Sequence, residues 1–271
     1  MAEVDSQGCR LSYRVEGPDD APPLLLLNSL GTTIDLWAPQ LAPPSLPVGE
    51  TGGFAQQFRV IRYDARGHGR STVPPPPYTL DQLGQDALAV LGAAGAGRAH
   101  VAGISIGGLT GMWLGINAPD RVAGLVLANT GARIGTTALW RERIAMAESP
   151  GMTILADLIM TRWFTPGFRA QNPETLEMFR AMVAETPALG YIGCCAALDG
   201  ADLRETIQRI TAPVLVIVGT EDPSTPPALG ELIRQRIPGA QLVALEAAHL
   251  SNVEQPDAFT GAVIDFLSTE R

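Results

Sequence analysis

The sequence contains no lysine: all 19 of its basic residues are arginine. That absence removes whole mechanisms. Without a lysine amine there is no Schiff base, no pyridoxal phosphate anchor, no Ser-Lys dyad and no P-loop lysine. Cysteine is scarce as well. Cys9, Cys194 and Cys195 are odd in number, two are adjacent, and there is no CxxC. This points to a reducing compartment rather than a disulfide scaffold. The three histidines, His68, His100 and His249, fall at no metal-ligand spacing, so no metal is expected, and no other cofactor. The N-terminal MAEVDSQGCRL has no basic stretch followed by an apolar one, and the longest apolar runs are far too short to span a bilayer. A cytoplasmic protein is expected.

Positive charge is also in deficit. Against 28 Asp and Glu, the formal net charge is −9. An acidic chain with no basic cluster suits neither nucleic acid nor an anionic membrane. An anionic substrate would need a local arginine to overcome that global repulsion.

What is present fits a globular enzyme. Apolar residues make up 46% of the 271 and charged residues 17%, enough for a large core and against disorder. Short β-rich runs alternate with helical stretches, the pattern of a mostly parallel sheet covered on both faces. Strands are expected at 10–15, 24–28, 59–64, 100–105, 122–128, 214–219 and 242–245. Helices are expected at 79–91, 106–117, 227–236 and 256–267, with Pro256 as a first-turn proline. Residues 38–53 hold four Pro and three Gly and read as a loop. The stretch from about 131 to 211 looks helical and contains no strand-like run. So long a segment is better read as an inserted helical cap than as a structureless loop. The expected organisation is therefore a core of residues 1–130 and 212–271 with a cap at 131–211.

The strongest local signal is Gly103-Ile104-Ser105-Ile106-Gly107-Gly108, between an apolar strand and a helical stretch. This is the setting of a GxSxG nucleophile elbow, in which a tight turn presents the serine above the sheet. A serine needs a base. His68 directly follows a strand inside DARGHGRS and reads as a structural turn residue. His100 opens the strand that leads to Ser105, so it lies roughly 15 Å away at about 3.3 Å per residue. His249 follows the last strand, where a doubly wound sheet gathers its ligand-binding loops. Asp222, after the strand VLVIVG, can orient that histidine, with Glu221 as the adjacent competitor. The order Ser105…Asp222…His249 differs from both well-known protease orders. The oxyanion donors are expected to be the backbone N–H groups of Ile106 and Leu30.

The motifs NSLGTT, RYDARGHGRS, GISIGG, GTEDPSTPP and AAHLSNVEQP resemble the α/β-hydrolase superfamily over almost the whole chain. The segments LANTGARIGT, YIGCCAA and ITAP are closer still to the 3-oxoadipate enol-lactonases of bacterial aromatic breakdown. That resemblance implies hydrolysis of a small anionic lactone in the β-ketoadipate pathway, with Ser105, His249 and Asp222 as the triad and no cofactor. The substrate carboxylate then needs a cation. Arg133, just past a strand end, is the first candidate and Arg162 the second, because an arginine fork binds both oxygens of a carboxylate. Trp163 is a candidate for the apolar wall, as is Trp140. A general esterase, a carbon–carbon bond hydrolase, a cofactor-free perhydrolase and a non-catalytic binding protein on the same fold all remain compatible with these residues.

Overall fold

The computed structural model describes residues 1–41 and 53–269. The apolar runs become strands: β1 (Ala2–Ser6), β2 (Cys9–Glu16), β3 (Pro23–Leu27), β4 (Arg59–Tyr63), β5 (Ala99–Ile104), β6 (Val122–Ala128), β7 (Val214–Gly219) and β8 (Gln241–Leu245). They form one sheet in the order β1-β2-β4-β3-β5-β6-β7-β8. The pairs β1–β2 and β2–β4 are antiparallel; the other pairs are parallel. Every residue of β5 and β7 is buried, as strands covered on both faces require. The helices Leu80–Ala93, Ile106–Asn117, Pro227–Arg236 and Pro256–Thr269 pack on this sheet, each close to its expected span. The chain thus has the α/β-hydrolase fold expected from its sequence.

Two local expectations need correction. β1 is not anticipated by any apolar run. Its signal is Gln7-Gly8, whose φ values of 47° and 76° close a two-residue hairpin between Ser6 and Cys9. Paired positive φ is the turn geometry that matches strand twist. The loop expected at 38–53 starts instead as a helical turn, Ala38–Leu41, continuing the 3-10 turn Ile34–Trp37. Burial of Trp37 and Gln40 holds it, against the local preference of its proline. The remainder of that expectation, residues 42–52, lies outside the described residues.

Between β6 and β7 the chain forms the helices Thr137–Glu148, Met152–Trp163, Pro166–Gln171, Pro173–Ala184 and Ala188–Gly200, with no strand. The last of these lies hard against the loop after β4. A Cβ on Gly190 would sit 2.0 Å from the carbonyl oxygen of Gly67, and the Tyr78 N–H donates to Gly193 O at 3.2 Å. That loop is itself anchored by a bidentate ion pair, Arg66 to Asp86 at 2.6 and 2.7 Å, with both side chains buried. No single helix among the described residues is long and apolar enough to cross a membrane.

The backbone contact at Gly190 leaves no room for a methyl group. Gly190→Ala is therefore expected to cost about 1–3 kcal/mol by overpacking, read as a lower denaturation midpoint. An unchanged midpoint would show that the helix sits further from the loop.

Candidate active site

One residue, Ser105, separates β5 from the helix Ile106–Asn117. It takes φ 58° and ψ −118°, a conformation costly for a residue with a Cβ. Local bonds hold it there. Its N–H donates to Ala128 O at 3.1 Å, and its carbonyl accepts from Thr130 Oγ1 at 2.6 Å. Glycine makes the turn possible. A Cβ on Gly103 would meet the Gly107 carbonyl at 2.4 Å, and one on Gly107 would meet Leu27 O at 2.3 Å and Asn28 O at 2.8 Å. The second contact lays the loop after β3 across the first turn of the helix. Ser29 and Leu30 thereby reach the cavity that Ser105 lines, and Ile106 supplies a first-turn N–H that no helical carbonyl can satisfy.

That loop is pinned on both sides of Leu30. Asn28 Nδ2 donates to Tyr63 O at 2.8 Å and Asn28 Oδ1 accepts from Trp37 Nε1 at 3.0 Å. The Gly31 N–H donates to His68 Nε2 at 3.0 Å, while His68 Nδ1 lies 3.1 Å from Arg66 O. The pattern requires a neutral His68 carrying its proton on Nδ1. Burial, which lowers the pKa of this imidazole, favours that form. His68 is thus placed as a structural residue. His100 lies at the other end of β5, edge-on to Phe58 at 6.1 Å.

His249 lines the same cavity as Ser105, and its Nδ1 lies 2.8 Å from Asp222 Oδ2. Oδ2 also accepts from Thr225 Oγ1 at 2.6 Å and Asn129 Nδ2 at 3.1 Å. Oδ1 accepts from the N–H groups of Ser224 and Thr225 at 2.7 and 3.0 Å. Burial alone would raise the Asp222 pKa, but the adjacent His249 and the Thr225 bonds outweigh it and bring it to about 2. The result is a fixed carboxylate facing an imidazole, the arrangement that sets a histidine's tautomer. Glu221, by contrast, is exposed.

Asn129 is a part of this site that pattern reading misses. It stands just past β6 with φ 43° and is fully buried. Besides Asp222, its Nδ2 reaches Ala248 O at 3.1 Å, and its Oδ1 accepts from Ser251 Oγ at 2.6 Å. One amide therefore ties the end of β6 to the loops bearing Asp222 and His249. The available signal is an asparagine directly after an unbroken strand, since asparagine tolerates positive φ better than most residues.

The walls of this cavity include Leu139, Trp140, Ile159, Trp163 and Leu198. The expected wall residue Trp163 is among them; the expected cation Arg133 is not. Its Nη1 is 3.0 Å from Asp202 Oδ2, and it is absent from the cavity walls. Asp202, also paired with Arg204, draws that guanidinium to the surface. The arginines that do line the cavity are Arg143 and Arg162. Arg143 is 8% exposed, and its buried Nη1 has no hydrogen-bond partner among the described residues. Arg162 donates from Nη2 to Pro223 O at 2.6 Å and from Nε to Ser224 Oγ at 3.3 Å. Burial first, then the neighbouring Arg143 charge, lowers its pKa. Two guanidinium groups thus share one apolar cavity. A readable signal for Arg143 existed: with Trp140 and Ala147 it forms the buried stripe of its helix, at the three- and four-residue spacing of one face. Among the described residues no cluster of His, Cys, Asp and Glu could hold a metal ion.

Comparisons with known proteins agree with this architecture. A family described as the alpha/beta hydrolase fold matches residues 22–256. The 3-oxoadipate enol-lactonase 2 of Acinetobacter baylyi is 43% identical over 260 residues, which cover 96% of this chain and 94% of that protein. The 3-oxoadipate enol-lactonase 1 of the same organism is 40% identical, with 96% of each chain covered. The crystal structure of the enol-lactonase from Burkholderia xenovorans superposes with a TM-score of 0.93 at 42% identity, covering 98% of this chain and 100% of that one.

The depressed Asp222 pKa has a consequence for stability. Its folded value is about 2 against an ordinary 3.8, so the ionised carboxylate stabilises the fold once the pH is above both values. Because the folded value is the lower one, this contribution is complete above about pH 4 and fades as pH falls towards about 2. In denaturant titrations the stability gap between wild type and Asp222→Asn should therefore narrow below about pH 4. A gap independent of pH would contradict the ionised carboxylate.

Proposed function

The chain belongs to the α/β-hydrolase family, and within it we propose a serine hydrolase that opens the ring of 3-oxoadipate enol-lactone to give 3-oxoadipate, a step of aromatic breakdown. Relatives named as enol-lactonases support lactone hydrolysis. The observation that carries the finer reading is Arg143, a buried cation with an unpartnered Nη1 in the wall of the cavity that Ser105 and His249 share. In a chain of net charge −9, a second guanidinium nearby makes the site unfavourable when empty of anions. A substrate carboxylate relieves both conditions at once. The helical segment 131–211 then acts as a cap that supplies this cation together with the Trp140 and Trp163 walls.

The chemistry follows from the residues. Ser105 Oγ attacks the lactone carbonyl while His249 Nε2 takes its proton. The N–H groups of Leu30 and Ile106 receive the oxyanion. The ring C–O bond breaks, the departing enol oxygen takes the proton from His249, and the enol tautomerises to a ketone, which draws the reaction forward. Water, deprotonated by His249, then attacks the Ser105 ester, and His249 returns that proton to the departing Ser105 Oγ. Asp222 stabilises the imidazolium in both halves. No amine, metal or redox group is required.

Ser105→Ala should lose at least about 10⁴-fold in kcat with its denaturation midpoint preserved; turnover near the wild-type rate would remove the serine mechanism. Arg143→Ala should raise KM for the anionic lactone about 10- to 100-fold, as expected when a charge-assisted hydrogen bond is lost. The uncharged methyl ester of the same lactone should change less than about threefold. Equal effects on the two substrates would dismiss the carboxylate role.

A further inference from the structure

The Glu254 of the AAHLSNVEQP motif plays no part in the chemistry above, yet it is the acceptor for three donors. Its Oε1 accepts from the N–H of Ala248 at 3.1 Å and from the N–H of Thr165 at 3.0 Å. Its Oε2 accepts from Thr165 Oγ1 at 2.8 Å. Ala248 immediately precedes His249. Thr165 lies two residues past Trp163, a wall of the substrate cavity, and caps the helix Pro166–Gln171 by accepting from the Phe168 N–H.

The other side of His249 is tied to the same place. The Leu250 N–H donates to Trp163 O at 3.1 Å. The histidine therefore sits between two anchored peptides, one held through Glu254 to Thr165 and the other held directly by Trp163. Arg162, the preceding residue, donates to Pro223 O and Ser224 Oγ in the loop that carries Asp222. The short segment 162–165 thus touches the supports of both the imidazole and its carboxylate partner. A single hydrogen bond between exposed loops would be weak evidence of design. Three donors converging on one half-buried carboxylate, each from a residue next to the site, fix a geometry.

We infer that Glu254 is a positioning residue that fastens the cap segment 162–165 to the His249 loop, so that alignment of the base on Ser105 depends on the cap. Its role is to accept hydrogen bonds rather than to supply charge. Glutamine can reproduce it, since the amide oxygen serves both N–H groups and the amide nitrogen can donate to Thr165 Oγ1. Alanine cannot. The facing ionisable group on the Asp222 loop is Glu221, whose charge adds to burial in raising the Glu254 pKa. A charge at position 254 is thus opposed by its surroundings, while its acceptor geometry is fully used.

The test compares full-length Glu254→Ala, Glu254→Gln and Thr165→Val. Two readouts serve: steady-state turnover of the enol-lactone, and the rate at which a fluorophosphonate labels Ser105, which needs the base but no bound carboxylate. Misplacing a catalytic group by about 1 Å costs on the order of 10²-fold. Glu254→Ala should accordingly lose about 10- to 100-fold in kcat and in labelling rate, with KM within about twofold. Glu254→Gln should restore both. Should Glu254→Ala fail to fold, Thr165→Val carries the test with a smaller loss of labelling in the same direction. Wild-type labelling in the alanine variant, or in Thr165→Val if that variant alone folds, overturns the inference, as does a glutamine variant no better than alanine. The inference rests on His249 as base. Undiminished turnover in His249→Ala would fell that reading and this one with it. An inert His249→Ala beside a fully active Glu254→Ala would fell this one alone.

Discussion

The approach of β5 to the helix that follows it is the constraint on which the site depends. With a single residue for the turn, the two elements are so close that Gly103 and Gly107 can carry no side chain. Ser105 is left in a conformation that neither element would choose. The same closeness lays the loop after β3 against the start of the helix, so the geometry that strains the serine also brings Leu30 to the same cavity. Parallel pairing from β3 through β8 then does the rest. All these strands end on one side, and the loops bearing Leu30, Ser105, Asn129, Asp222 and His249 arrive together.

Convergence alone would leave flexible loops. The polar groups between them remove that freedom. Asn129 links the β6 end to both the acid and the histidine loop, Thr225 and Ser224 fix the carboxylate, and Glu254 anchors the histidine loop to the helical segment above it. His68 does the same for the loop of Leu30. Each is buried or half-buried, where an unmade bond costs about 1–3 kcal/mol, so the arrangement resists distortion. Among the described residues the Nη1 of Arg143 is one of the few buried polar atoms without a hydrogen-bond partner, and it is the one in the cavity wall on which the proposed carboxylate contact rests.

The parts of the site that depend on chain order were legible in the sequence. Ser105 announces itself through its glycines, His249 emerges by elimination among three histidines, and Asp222 follows from its place after an apolar strand. The fold class was legible for the same reason, because buried parallel strands are unbroken apolar runs. What depends on side-chain direction was not. Arg133 and Arg143 are ten positions apart and look equivalent in the sequence. Their difference lies in Asp202, a residue distant in the chain that draws Arg133 outwards, and in the helical stripe that turns Arg143 inwards. Glu254 and Asn129 were hidden similarly, since their importance rests on partners up to 122 residues away. The hairpin of β1 was missed because its information is in two turn residues rather than in a hydrophobic pattern.

The central claim is covalent catalysis by Ser105 on a cyclic ester. A lactone loses no fragment when its ring opens on the serine, so the intermediate must carry the mass of the whole substrate. Rapid-quench mass spectrometry during turnover of the enol-lactone measures this directly. The account predicts a transient adduct of enzyme plus one intact lactone, located on the peptide containing Ser105 and decaying at the rate of product formation. An adduct on another residue, or a wild-type enzyme that leaves the lactone unhydrolysed, would contradict it.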